Sequence, residues 1–206
     1  MTSLFLASAS PRRAELLTQI GVKFQRVVPA FNEQRLDAES PSDYVQRLAS
    51  GKAVAGSALI NVQSCTTGAC VLGADTIVVM GDTVFGKPRE AGEHRRMMKA
   101  LSGTSHKVLT AVALLILPGE RAATRPQPQI LLSSTEVRFK PLSDAEIQTY
   151  WDSEEPRDKA GGYAIQGFGA LFVESINGSY SGVVGLPLHE TGQLLAKAGV
   201  ATWLPG

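Results

Sequence analysis

Asp75 is the residue whose placement most needs an explanation. It interrupts an otherwise apolar run, VLGADTIVVM at 71–80, and a carboxylate buried in a strand is costly unless a cation pairs with it or a metal takes it. Either it does chemistry at the mouth of the strand or a structural partner holds it. Glu33 lies in a polar, turn-like stretch, PAFNEQRLDAES at 29–40, where it is available to a metal or simply solvated. The second anomaly is a pair of arginines. In LFLASASPRRAELL at 4–17, Ser10 suits an N-cap and Pro11 the first helical position, so Arg12 and Arg13 fall in the first turn. There the exposed N–H groups already carry partial positive charge, and each cation is disfavoured by about 0.3–1 kcal/mol. Guanidiniums, free N–H groups and the hydroxyls of Ser8 and Ser10 together suit a polyanion, most simply a phosphate chain. The plain alternative leaves both arginines solvated or paired with Glu15 and a distant carboxylate. Lys52 rides on a later helix, and Lys159 and Gln166 are donors in a stretch dense in glycine and charge.

The elements that must position these groups follow from local pattern. A strand near residue 4 leads through a tight turn into the helix with Leu16, Leu17 and Ile20 on its apolar face, ending at Gly21. A second strand is predicted over 22–28, and a helix opens at Ser40, Pro41 and Asp43 and runs to about Leu59. The segment NVQSCTTGAC at 61–70 reads as a flexible loop containing both cysteines, Cys65 and Cys70. Strand 71–80 turns at Gly81 and Asp82 into a short second strand before GKP at 86–88. An amphipathic helix spans 90–101, a long strand follows from 106, and the proline-rich 118–129 is a loop or hairpin tip. Residues 130–140 alternate as a strand, and Ser143 with Glu146 forms a capping box for a helix to about Trp151. The glycine and proline content of 154–169 prevents a regular element and suits backbone approach to a ligand. ALFVESI at 170–176 is a strand, NGSYSGVVGLP at 177–187 another glycine-rich turn, and 188–198 a closing helix capped by Gly199. Strands mixed with helices predict an α/β protein with a large mixed sheet.

Composition narrows the partners. Twenty Lys and Arg against nineteen Asp and Glu give a net charge of +1, which provides no basic stripe for nucleic acid, so anion binding must be local. No apolar run is long enough to span a membrane and no signal peptide pattern opens the chain, so a cytoplasmic protein is expected. His94, His106 and His189 have no metal-ligand spacing with the cysteines, which read as reduced thiols. Neither a P-loop nor a strand-linked GxGxxG occurs.

LASASPRR, FNEQRL, GADTIV, GKP, SGTSHKVLT, DKAGGYAIQGFG and GSYSGVVGLP stand in the order found in the Maf family of nucleoside triphosphate pyrophosphatases, and the chain resembles that family over nearly its whole length. The resemblance implies one domain over 1–206, similar in fold to the inosine triphosphate pyrophosphatases: an elongated mixed sheet with two lobes around a deep cleft. It implies hydrolysis of a nucleoside triphosphate between the α and β phosphates, with a divalent cation, Mg²⁺ or Mn²⁺, and a possible homodimer. By motif position, Ser8, Arg13, Lys52, Lys87 and Lys159 look like triphosphate ligands and Glu33 and Asp75 like the acidic centre. In that centre Asp75 is either the base or a metal ligand. Asn32 and Glu154 stand where the family often has Asp and Gly, and the Cys65–Cys70 loop and 118–129 look like local extensions.

Within the family, Arg12, Thr76 and Gln166 resemble the signature of the branch that hydrolyses dTTP and UTP. The branch acting on 7-methyl-GTP carries an aromatic residue at the first position and Glu at the last. Gln offers a donor and an acceptor to the O4 and N3–H edge of a pyrimidine, whereas Glu only accepts and suits guanine. Hard cations favour carboxylate oxygens, which fits Glu33 and Asp75 and the sparse thiols and imidazoles. The rival expectation is a non-catalytic nucleotide-binding regulator of septum formation.

Overall fold

The computed structural model describes residues 2–61, 68–117 and 126–203. In chain order the elements are β1 (Ser3–Ala7), α1 (Pro11–Gln19), β2 (Phe24–Val27), α2 (Pro41–Ser57), β3 (Ala69–Met80), β4 (Thr83–Phe85), α3 (Ala91–Leu101), β5 (Ser105–Leu117), β6 (Gln129–Phe139), α4 (Asp144–Asp152), β7 (Val173–Asn177), α5 (Tyr180–Val184) and α6 (Leu188–Lys197). The strands form one mixed sheet in the order β2-β1-β3-β5-β6-β7, with β4 beside β3. β1 runs parallel to β2 and β3, while β4 and β7 are antiparallel to their neighbours. The predicted α/β architecture with a mixed sheet flanked by helices is the one observed.

The chain divides into two compact units. The first comprises 1–75, 110–132 and 185–206, the second 76–109 and 133–184. In the first, α2 lies directly on the sheet because two glycines remove the intervening side chains. A Cβ on Gly73 would stand 2.3 Å from the Ala49 carbonyl oxygen and 2.6 Å from the Ala53 nitrogen, and one on Gly56 would stand 2.7 Å from the Ala7 Cβ. Val45, Leu48, Ala49 and Ala53 are fully buried on the facing side of the helix. The chain ends of this unit are tied locally: the Thr2 hydroxyl donates to the Ala198 carbonyl at 2.8 Å, and the Trp203 N–H donates to Ile20 at 3.0 Å.

In the second unit Met98, Leu101, Val137, Phe139, Ile147 and Tyr163 form the centre of an apolar cluster. The capping box is present, with the Ser143 hydroxyl accepting from Glu146 N–H and the Glu146 carboxylate accepting from Ser143 N–H. His106 is sealed inside this cluster. Its Nε2 lies 2.9 Å from the Tyr163 hydroxyl, and its ring meets Phe139 edge-on at 4.9 Å. Burial pushes the imidazole down to about 4. Because this folded-state value lies below the unfolded one, the unfolded chain binds the proton first as pH falls, and stability is lost from about 6.5 down to about 4. We expect urea unfolding to show His106→Gln, which cannot titrate, losing about 2 kcal/mol less than wild type between pH 7 and pH 4. Parallel pH profiles would show that His106 titrates alike in the folded and the unfolded chain.

The structure departs from the sequence expectations at several segments. Cys70 lies in β3, not in a loop; it is free and buried, and burial pushes its thiol up to about 12. Residues 62–67, with Cys65, and 118–125 lie outside the described residues. The last strand begins only at Val173, because 168–172 wind into a 3₁₀ turn first. The glycine-rich 177–187 contains α5, bracketed by Gly178 at φ 133° and Gly185 at φ 134°, with the Ser179 hydroxyl accepting from Gly182 N–H at 3.0 Å. The 154–169 stretch is also not wholly irregular: 3₁₀ turns occur at Glu155–Asp158 and Ala160–Gly162. Glu154, before the first of them, sits in the left-handed region at φ 65°, a conformation that a glycine takes without strain.

Candidate active site

Asp75 is held in the middle of β3 rather than at the strand's mouth. It is 8% exposed, and its Oδ1 accepts from the Lys52 ammonium at 2.5 Å. The same Lys52 Nζ lies 2.7 Å from Glu33 Oε1. One nitrogen therefore draws two carboxylates to a single cation-sized point. The close approach of α2 to β3 at Gly73 is what brings Lys52, the neighbour of Ala53, within reach of Asp75.

Glu33 owes its position to residues that sequence reasoning did not connect to it. The Phe31 ring fills a notch at Gly51, where an added Cβ would meet ring carbons at 2.1 Å. The Tyr44 hydroxyl donates to the Glu33 carbonyl at 2.7 Å, and Arg47 donates to the Gln34 carbonyl at 3.0 Å. Arg47 is itself held by Glu39 at 2.6 and 2.8 Å. Burial raises the Tyr44 phenol, and the negative charges of Asp75 and Glu33 raise it further, so it remains a donor. The missed signal was glycine: Gly51 and Gly56 inside a helix each carry a penalty of about 1 kcal/mol relative to Ala, which only close packing explains.

Ser8 and Arg13 come together in the first unit as well. The Ser8 hydroxyl accepts from Ser10 N–H at 3.1 Å and from the Arg13 guanidinium at 3.3 Å. Arg13 Nε–H donates to the Gly185 carbonyl at 2.8 Å. Burial lowers the guanidinium's pKa and Arg12 lowers it further, against the raising effect of Asp75 and Glu33. Part of the donor set assigned to an anion is thus committed to protein oxygens. Ser10 is the N-cap by position, but its side chain makes no capping bond. Arg12 is half-buried in the first turn of α1.

Thr76, half-buried, follows Asp75 on β3 in the second unit, which also carries Lys87, Lys159 and Gln166. Lys87 is exposed in the loop after β4, and Gly161 N–H donates to the Gly86 carbonyl at 2.9 Å, joining that loop to the turn after Lys159. The turn fits closely: a Cβ on Gly161 would stand 2.7 Å from Val78 and one on Gly162 2.8 Å from His94, and His94 Nε2 lies 3.1 Å from the Gly162 carbonyl. The Lys159 ammonium pairs with Asp158. Gln166 is exposed.

Among the described residues no three His, Cys, Asp or Glu side chains gather as a metal cage. The donors that do converge, Glu33 and Asp75, are hard oxygens around a point held by the Lys52 ammonium, a donor type that suits a divalent cation. No helix among the described residues is long and apolar enough to cross a membrane.

A family model described as Maf-like protein matches residues 3–198. The chain is 49% identical over 197 residues to a dTTP/UTP pyrophosphatase of Vibrio cholerae, covering 96% of this chain and 98% of the relative. It is 51% identical over 203 residues to a protein of the same name from Shewanella sp. strain MR-7, covering 96% and 99%. It is 52% identical over 196 residues to another from Salmonella typhimurium, covering 95% and 93%.

Proposed function

The chain belongs to the Maf family, and from that premise we propose that it hydrolyses dTTP and UTP between the α and β phosphates, releasing nucleoside monophosphate and pyrophosphate. The observation that carries the reading is the convergence of Glu33 and Asp75 on the Lys52 ammonium, together with near-full-length relatives named for that substrate pair. Water attacks the α phosphorus, the bond to the bridging oxygen breaks, and pyrophosphate leaves with that electron pair. Asp75 accepts the proton of the attacking water, held in register by Lys52. Glu33 and Asp75 would hold a divalent cation, Mg²⁺ or Mn²⁺, which supplies charge neutralisation to the triphosphate. An ammonium has three N–H donors, so Lys52 keeps one for a phosphate oxygen beyond its two carboxylate partners. Arg13, Ser8, Lys87 and Lys159 neutralise the remaining charge of the phosphate chain.

Base choice belongs to Gln166, with Arg12 and Thr76. Gln166→Glu keeps the size and removes the amide donor, so dTTP and UTP are expected to lose about 1–3 kcal/mol in kcat/KM, roughly 5- to 150-fold, while guanine nucleotides lose less. The experiment is a panel of triphosphates with Mg²⁺ or Mn²⁺, products followed by phosphorus NMR, with and without EDTA. Monophosphate and pyrophosphate from dTTP and UTP, and no turnover in EDTA, are the expected results. Orthophosphate as the first product would overturn the reaction, and equal losses across all bases for Gln166→Glu would overturn the base reading.

A further inference from the structure

The segment 164–169, which carries Gln166, is anchored by one carboxylate. Glu155 Oε2 accepts from Phe168 N–H at 2.9 Å, and Oε1 accepts from Gly169 N–H at 3.1 Å and from the Tyr150 hydroxyl at 2.7 Å. The Tyr150 oxygen in turn accepts from Ala164 N–H at 3.0 Å. Both ends of the segment are therefore fastened to a single Glu–Tyr pair, and the exposed Gln166 stands between the fastenings. Gly167 lies so close over the carboxylate that an added Cβ would be 2.0 Å from Oε2.

The Tyr150 half of the anchor is buried in the core. Tyr150 is 3% exposed, and its ring packs against Phe172 at 4.9 Å and His94 at 5.8 Å. Burial acts to raise the Glu155 carboxyl, but hydrogen bonds from Tyr150, Gly169 and Phe168 and the charge of Lys159 outweigh it and hold the group below the usual carboxylate range. It is ionised at neutral pH and accepts all three donors, which a neutral amide of the same shape cannot do. Ile165, before Gln166, is buried in the apolar cluster, while Gly167 and Gly169 after it bring no side chain, so on that side the backbone is held through Glu155.

We infer that Glu155 and Tyr150 are a specificity-determining pair of positioning residues: they hold the 164–169 loop so that Gln166 presents a fixed amide edge to the base. This rests on the reading of Gln166 as the base-contacting residue. Glu155→Gln turns one acceptor into a donor facing N–H and O–H groups, and Tyr150→Phe removes the link to Ala164 while keeping the ring in the core. Both leave the side chains assigned to the phosphates in place.

The test measures kcat/KM for dTTP and GTP in wild type, Glu155→Gln, Tyr150→Phe, Gln166→Ala and the double variants with Gln166→Ala. It adds thermal unfolding and the Kd of inorganic triphosphate. Each positioning variant is expected to lower the dTTP-to-GTP ratio about tenfold, with the inorganic triphosphate Kd changed by less than about twofold. In the Gln166→Ala background the same substitutions should leave the ratio unchanged, because the group they position is gone. If Gln166→Ala lowers the ratio and neither positioning variant does, or if they weaken dTTP and GTP equally, the inference is overturned while the Gln166 reading stands. If Gln166→Ala leaves the ratio at the wild-type value, the Gln166 reading falls, and the inference with it. Should Glu155→Gln fail to fold, Tyr150→Phe decides alone, since its packing is retained.

Discussion

Asp75→Asn is expected to lower kcat/KM for dTTP by about a thousandfold while the protein still folds. The substitution keeps the shape of the side chain and removes both the proposed proton acceptor and one of the two carboxylates that meet the Lys52 ammonium. The effect on stability is a loss, not a gain, because Asp75 and Lys52 are both largely buried, with side chains 11% and 13% exposed, and the ammonium would keep only Glu33 as its anionic partner. That loss stays near about 1–3 kcal/mol, since the Asn carbonyl still accepts from Lys52 and Glu33 remains in place. Turnover of dTTP and urea unfolding on the same preparation separate the two effects. Turnover within a few-fold of wild type, accompanied by the stability loss, would make Asp75 a structural partner of Lys52 and nothing more.

The second large effect is expected at a residue that carries no charge of its own. Gly73→Ala should cost about 3 kcal/mol of stability, because the new methyl would meet the Ala49 carbonyl oxygen at 2.3 Å and the Ala53 nitrogen at 2.6 Å, and neither backbone atom can swing aside without moving α2. Activity should fall as well, by about tenfold or more, since lifting α2 from β3 stretches the 2.5 Å contact between Lys52 and Asp75. Gly192→Ala is the matched control on α6: its Cβ would meet nothing within 4 Å, and a helix interior favours Ala by about 1 kcal/mol. Denaturant midpoints and dTTP kinetics for both variants test this. A Gly73→Ala protein as stable as the Gly192→Ala control would show that the approach of α2 is looser than these distances require.

Much of this protein was determined by short-range pattern. The apolar period of 41–57, the Ser40 cap whose hydroxyl accepts from Asp43 N–H, the capping box at Ser143 and the turn at Gly21 with φ 71° are preferences expressed within a few residues, so they are legible without a fold. The need for partners was legible too, because a carboxylate in an apolar strand and two arginines at a helix start are each unfavourable locally. Who that partner is, only the tertiary structure decided. Lys52 joins Asp75 across β3 because Gly73 and Gly56 let α2 settle on the sheet, Glu33 reaches the same nitrogen because Phe31 fits over Gly51, and Arg13 finds Gly185 from the lead-in to α6. The Glu155–Tyr150 clamp was invisible for the same reason. Propensity and periodicity act along the chain, whereas these contacts depend on how closely distant backbones approach, and that is set by packing at single glycines rather than by the residues that carry the charge.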